Sequence, residues 1–351
     1  MTLDRFPRII VTGANGWLGR RVVRALTLGL DWPGLRGFAG SAVRGFVPAG
    51  EDVSDLSGLG AEIVRGDLRD PDAVTNLMDG AEGAAVIHLA GVIHPGKVRD
   101  FDAINHLGTR AVLDAATRAG CARMVVMSSN SPFGANRTPE GRFDETSPYN
   151  PYMGYGRSKR RMEDMLRGSM DAAGAPEIVI CRAPWFYGPG QPPRQTQFFT
   201  MIKDGKFPIL GSGDNRRSMG YVDSLALGLL LAAEIPRAAA QTYWIADERP
   251  YPMTEIVATV RDVLRDDFGM RVSDRSLRVP GIVADMARVA DAGLQGLGLY
   301  HQKIHVLSEM NLTIACDISK AQRDLGYEPL VELREGMRRS VAWCLEQGHD
   351  I

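Results

Sequence analysis

The chain has 351 residues, of which 44% are hydrophobic and 24% charged. That is the balance of a globular protein longer than one average domain. A formal net charge of −1 leaves no electrostatic footprint for nucleic acid, and no basic block marks a membrane surface, so neither partner is expected. The six histidines show no metal-ligand spacing, and Cys121, Cys181, Cys316 and Cys344 form no CxxC, so they read as free thiols of a cytoplasmic protein without a metal.

Ile9 to Thr12 reads as a buried strand, entered too early for a secretory leader to precede it. A helix follows from Trp17 to Leu30, then strands at Ala42–Val47 and Ile63–Val64, and a helix from Asp72 to Met78. Ala85–Leu89 is the next strand, Phe101–Ala119 a long helix, Met124–Met127 a strand, Tyr155–Ala173 a helix and Ile178–Cys181 a strand. This alternation predicts an α/β fold of Rossmann type, a doubly wound parallel sheet covered on both faces. After Pro184 the texture changes: helices at Phe198–Lys203 and Val222–Ala233, a strand at Tyr243–Ala246, and mostly helix from Pro252 on. The apolar stretch from Val279 to Tyr300, interrupted by Asp285, Arg288 and Asp291, predicts an amphipathic helix over a pocket. The expected division is a dinucleotide-binding domain over 1–185 and about 218–247, with 186–217 and 248–351 forming a smaller, mostly helical C-terminal substrate-binding region.

Gly13-Ala14-Asn15-Gly16-Trp17-Leu18-Gly19 follows a strand and opens a helix. Glycines permit the tight turn, and the unpaired N–H groups of the helix start suit a pyrophosphate. Gly13, Asn15, Gly16, Trp17, Leu18 and Gly19 are therefore candidate cofactor contacts, and the cofactor class is a dinucleotide. Tyr155 and Lys159 stand four residues apart, on one face of a helix. An ammonium held beside a phenol lowers the phenol's pKa and makes it a proton donor and acceptor usable near neutral pH.

The GxxGxxG turn with Tyr155-Gly-Arg-Ser-Lys159 resembles the extended short-chain dehydrogenase/reductase family, of the NAD-dependent epimerase/dehydratase type. The likeness extends to Asp67-Leu68 at the adenine, to His88-Leu89-Ala90-Gly91 at the cofactor floor and to Asn105. It continues through Ser129 ahead of Phe133-Gly134, Arg182-Ala-Pro184-Trp185-Phe-Tyr187-Gly-Pro beside the nicotinamide, Tyr221-Val-Asp223, and Asp317 through Tyr327. It implies that Tyr155 exchanges a proton with the substrate oxygen, that Lys159 also binds the nicotinamide ribose, that Ser129 orients the same oxygen, and that Asn105 holds the adjacent helix or a relay water. It also implies a homodimer through the helices Phe101–Ala119 and Tyr155–Ala173.

The cofactor leans to NAD, with NADP open. An acid or a base after the second strand would decide, and Pro48 stands there, although Arg44 is placed to face the adenosine. The substrate is a small molecule whose contacts are expected from Asn130, Trp185, Tyr187 and Arg217. Trp185 replaces the asparagine of nucleotide-sugar enzymes, and Asn130 replaces the acid a 4,6-dehydratase needs. The Arg182-Ala-Pro184 stretch resembles the 3β-hydroxysteroid dehydrogenase / dihydroflavonol reductase branch, one residue out of step. The leading function is an NAD(P)-dependent oxidoreductase interconverting a secondary alcohol and a ketone; a nucleotide-sugar 4-epimerase with tightly bound NAD and a non-catalytic dinucleotide sensor are the rivals.

Overall fold

A computed structural model describes residues 3–30, 32–36 and 38–351. Seven parallel strands form one sheet: β1 (Ile9–Thr12), β2 (Val43–Val47), β3 (Glu62–Arg65), β4 (Ala85–His88), β5 (Arg123–Ser129), β6 (Glu177–Ala183) and β7 (Thr242–Trp244). Their order is β7-β6-β5-β4-β1-β2-β3, which makes the fold the doubly wound α/β sheet expected from the alternation. The chain reverses direction across the sheet between β1 and β4, so a crevice opens beyond their carboxyl ends. Thr12 lies opposite Phe46 on β2 and His88 on β4, so these three ends are level and supply one floor.

Both faces are covered, which is why the strands read as apolar runs rather than alternations. Ile9 and Val11 point into one core, with the helices Trp17–Thr27 and Val222–Glu234. Ile10 points into the other, with Pro71–Leu77, the helix from Phe101 to Arg118, and Met153–Arg167. From Val222 to Ala233 the last of these is buried on every side, which accounts for its run of Leu and Ala, broken only by Gly228, from Leu225 to Ala233. A third core, built on Tyr187, Phe198, Phe199, Tyr251, Val260 and Met337, lies outside the sheet. The segment Ile314–Tyr327 packs against the sheet body.

Three local features differ from the sequence reading. The helix expected to run from Tyr155 to Ala173 starts at Met153 and stops at Arg167. Gly168 takes its C-cap and the Ser169 hydroxyl turns back to Met165 O, 2.9 Å away. The long helix opens in wide, π-type turns from Phe101 to Gly108 before tightening at Thr109. Pro184 breaks the chain out of β6, and three two-stranded ribbons appear that short mixed sequences did not announce: Trp185–Tyr187 with Met219–Tyr221, Arg216–Arg217 with Tyr251–Pro252, and Pro208–Leu210 with Leu277–Val279. Among the described residues no helix is long and apolar enough to cross a membrane.

Candidate functional site

The glycine turn is shaped to be approached closely. Gly13 has φ +67°, and a Cβ there would lie 2.8 Å from Ala90 N; a Cβ on Gly19 would lie 2.1 Å from Gly13 O. Neither position tolerates a side chain. The helix Trp17–Thr27 has no side-chain cap from Gly16 and no acid in its first turn, so its leading N–H groups stay open to an anion. These features fit a dinucleotide pyrophosphate. Arg20 braces the turn by donating to Asn15 O at 2.9 Å. Leu18 is buried in the core and contributes through its backbone. The Trp17 indole turns the other way, donating to Pro189 O at 2.7 Å and tying the turn to the loop beyond β6.

His88 builds the floor. Thr109 Oγ1 donates to Asn105 O at 2.7 Å, so it accepts from His88 Nε2, 2.9 Å away. His88 Nδ1 then accepts from Thr12 Oγ1 at 2.8 Å, and Thr12 Oγ1 accepts from Ala90 N at 3.2 Å. One neutral imidazole thus joins β1, β4 and the long helix, and fixes Leu89-Ala90-Gly91 under the cofactor position. Burial first, and the Lys159 ammonium second, push His88 down to about 3. An unfolded histidine titrates near ~6.5. Between those values the unfolded chain takes up a proton that the native chain refuses, so this contribution is full above pH ~6.5 and is lost as pH falls. The expected loss is about 1.4 kcal/mol per pH unit, or roughly 2 kcal/mol from pH 7 to pH 5. Urea midpoints at the two pH values check it: a His88→Gln variant, less stable at pH 7, should show a correspondingly smaller drop.

At the end of β5 the reactive groups converge. The Ser129 hydroxyl faces the Tyr155 phenol closely enough to draw its pKa down; it donates to Ser131 Oγ at 3.3 Å and accepts from Ser131 N at 3.2 Å. Lys159, buried on the same helix as Tyr155, donates to Met127 O at 3.0 Å and reaches the floor, where its Nζ lies 3.7 Å from the place of a Gly91 Cβ. Burial lowers Lys159 to about 8, with Glu163 opposing that shift. The phenol itself departs from the expectation of a lowered value. Burial pushes Tyr155 up to about 12, only the neighbouring Ser129 hydroxyl pulls it down, and Glu309 adds to the rise. Tyr155 is therefore a protonated phenol at neutral pH. Tyr152, its neighbour, is engaged elsewhere, hydrogen-bonded to Ser308 at 2.5 Å and stacked on His305.

The remaining expected residues divide. Asn105, fully buried, clamps Val92 through both its N–H (2.8 Å) and its C=O (3.0 Å) and donates to Ser158 at 3.1 Å, so it braces the helix of Tyr155 rather than touching the phenol. Asp67 lies exposed at the crevice, paired with Arg69, above a buried Leu68. Trp185 packs edge-on against Phe198, and Asn130 is half-buried at the end of β5. Arg217 donates to Glu309 O at 2.7 Å, and its Nε is buried without a partner. Two residues do not come to the site. Arg44 sits two residues before the carboxyl end of the β2 register, where its guanidinium takes Leu77 O (2.9 Å) and Asp79 O (2.6 Å) and pairs with Glu62. Tyr187 is buried in the third core, giving its hydroxyl to Asp247 at 2.8 Å.

Sequence reading places a helix over the pocket, and Ile282–Gly296 is that helix, but it misses the residues that hold it there. Gln295 Oε1 accepts from Gly154 N, the start of the Tyr155 helix, at 2.9 Å. Asp291 holds the Gln295 amide at 3.0 Å and pairs with His305 at 2.7 Å. Met153, with φ +50°, makes the bend that presents Gly154 to Gln295. Tyr300 stacks on His94 and meets Phe101, whose ring touches Tyr155. The bond from Gly154 to Gln295 spans 141 residues of chain and that between His94 and Tyr300 spans 206, and no local pattern announces either.

Comparison with known proteins gives consistent likenesses. The profile of the NAD dependent epimerase/dehydratase family matches residues 9–246. An uncharacterised protein, y4nL, of Sinorhizobium fredii is 57% identical over 345 residues, covering 98% of this chain and 97% of that protein. A ceramide reductase of Caulobacter vibrioides is 30% identical over 280 residues, covering 80% of this chain and 76% of that protein. Among solved structures, the dTDP-glucose 4,6-dehydratase DesIV of Streptomyces venezuelae, with NAD and TYD bound, superposes with a TM-score of 0.73 at 25% identity, covering 97% of each chain.

Proposed function

Because the chain belongs to the NAD dependent epimerase/dehydratase family, we propose that it is an NAD(P)-dependent oxidoreductase interconverting a secondary alcohol and a ketone. The observation that carries this reading is the placement of Tyr155 and Lys159 on one helix against the end of β5, where Ser129 faces the phenol and Met127 O holds the Lys159 ammonium. A protonated Tyr155 donates to a carbonyl oxygen in the reducing direction and recovers the proton in the oxidising one. Ser129 holds that oxygen in line with the phenol. Lys159 binds the ribose side and restores a positive charge near the phenolate that forms. Asn105 and Gln295 fix the helix on which both stand. The nicotinamide, when bound, supplies the hydride exchange. NAD is favoured over NADP because Pro48 follows β2 and Arg44 is consumed beneath the sheet.

Asn130 beside Ser129 speaks against dehydration, since an amide cannot carry the proton a carboxyl would. The ceramide reductase among the relatives favours a reductase, and Trp185 with Phe198 offers an apolar wall suited to the 3β-hydroxysteroid dehydrogenase / dihydroflavonol reductase branch. One feature favours a second reading, a nucleotide-sugar 4-epimerase: the unpartnered Arg217 Nε is a ready donor for a phosphate or sugar oxygen. Denaturing the purified protein and chromatographing the released nucleotide separates the two. The oxidoreductase should carry little nucleotide and bind added NAD(H) reversibly; about one retained NAD per chain would replace that reading with the epimerase. A homodimer through the helices Phe101–Arg118 and Met153–Arg167 completes the proposal. Their outer sides carry Asp102, Arg110, Arg160 and Arg161, and a clean monomer in gel filtration at micromolar concentration would remove it.

A further inference from the structure

The helix Ile282–Gly296 has its polarity reversed. Its inward side, over the start of the Tyr155 helix, carries Ala284, Ala287, Asp291 and Gln295, all buried. Its outward side carries Ile282, Met286 and Val289, which are 65%, 67% and 75% exposed, and the stripe continues into Leu297 at 78%. At helical spacing these four share one side, whereas a surface helix of a globular protein normally turns such a stripe to the core. The helix cannot simply roll over, because Gln295 is bonded to Gly154 N and Asp291 to His305. Asp285, on the edge of the stripe, is paired with Arg288.

Charge gathers at one end of this stripe. Val98 N approaches Gly298 O at 3.5 Å, which brings exposed Lys97 and Arg99 beside Leu297. Lys303 is exposed at the start of the next helix, one turn before Val306, itself 45% exposed. Asp100, half-buried, follows Arg99, and 297–306 contains no acid. An apolar stripe rimmed by cations matches the boundary of an anionic bilayer, with acyl chains below and phosphates at the rim. An antiparallel isologous contact with a second copy would instead bring these cations to the Ile282 end of the partner helix, where the carboxylate, Asp285, is already paired with Arg288. Fifteen residues of helix are too short to span a bilayer but suffice to lie on one.

We infer that the outer face of helix Ile282–Gly296 rests on an anionic phospholipid surface, with Lys97, Arg99 and Lys303 among the headgroups. This departs from the absence of a membrane partner expected from net charge, which cannot register a local patch. It does not depend on the reaction assigned to the site. The test is flotation of the full chain with vesicles of phosphatidylcholine alone or mixed with phosphatidylglycerol. Binding is expected only to the mixed vesicles and should weaken with salt. Lys97→Ala with Arg99→Ala should lower affinity roughly twenty-five-fold, about fivefold per cation at ~1 kcal/mol each. Met286→Glu with Val289→Glu should abolish flotation while leaving the melting temperature unchanged, since both positions are exposed. Failure of the unaltered protein to float, or flotation that survives the glutamate pair, overturns the inference. A dimer that the glutamate pair dissociates, without vesicle binding, assigns the face to a second copy instead.

Discussion

Tyr155→Phe is expected to lower kcat by about 10²–10⁴-fold, the usual range for loss of a positioned acid–base group. NAD(H) affinity should change little, because the turn from Gly13 to Gly19 and the floor from Leu89 to Gly91, proposed to hold the cofactor, lie on other elements. The ring is retained, so its contact with Phe101 and the helix start at Met153 survive. Only the hydroxyl that faces Ser129 is lost. Single-turnover mixing with the cofactor, alongside a fluorescence titration of NADH, separates the two quantities. Full turnover in the variant would remove Tyr155 from the chemistry; loss of cofactor binding together with turnover would mark it as a structural residue. The proton bookkeeping also predicts that the unliganded enzyme shows no phenolate absorption at pH 8, since the phenol titrates only at about 12.

The second large effect is on the fold. Glu163 is fully buried and accepts from Ser128 at 2.6 Å, from Tyr149 at 2.6 Å and from Arg182 at 2.7 Å. Arg182 is itself buried, with its guanidinium 4.3 Å from the Phe133 ring centre and Nη1 already without a partner. Glu163→Ala strands this cation in an aromatic shell. Breaking a buried pair by removing one partner costs about 3–5 kcal/mol, a large part of a typical stability of ~5–15 kcal/mol. Guanidinium unfolding should register that loss. Because Glu163 is one helical turn from Lys159, the surviving folded fraction should also show a Lys159 less readily protonated, the direction in which loss of a nearby carboxylate acts. A midpoint within about 1 kcal/mol of the unaltered protein would show the network to be dispensable.

The legible parts of this protein are those encoded by short-range periodicity. Sheet strands β1 to β6 are apolar runs between glycine and helix signals, and each was found within a few residues. The glycine turn and the Tyr155/Lys159 spacing are local as well. What was not legible depends on which way a side chain leaves the backbone. Arg44 differs from a cofactor-facing arginine only by its place in the β2 register, and Tyr187 from a pocket tyrosine only by the presence of Asp247, 60 residues away. The phenol's pKa was misjudged for a related reason. Helical spacing puts an ammonium near Tyr155, but Lys159 donates its hydrogen bond to Met127 O, and burial raises the phenol. Asp291 reads only as an interruption of an amphipathic helix and Gln295 carries no signal at all, whereas both lie on that helix's inner side.

The sheet is completed late. β7 pairs Thr242, Tyr243 and Trp244 with Ile180, Cys181 and Arg182 of β6, and the chain builds part of the third core before returning to make that pairing. During synthesis β6 therefore remains an open edge for about sixty residues, at a few to twenty residues per second. Unpaired apolar edges are templates for association with other chains. The emerging polypeptide must pass through a sticky stage lasting some seconds, and any shortened form ending before Tyr243 would stay in it. Soluble yield should thus depend on translation speed and chaperone supply more than on the stability of the finished protein.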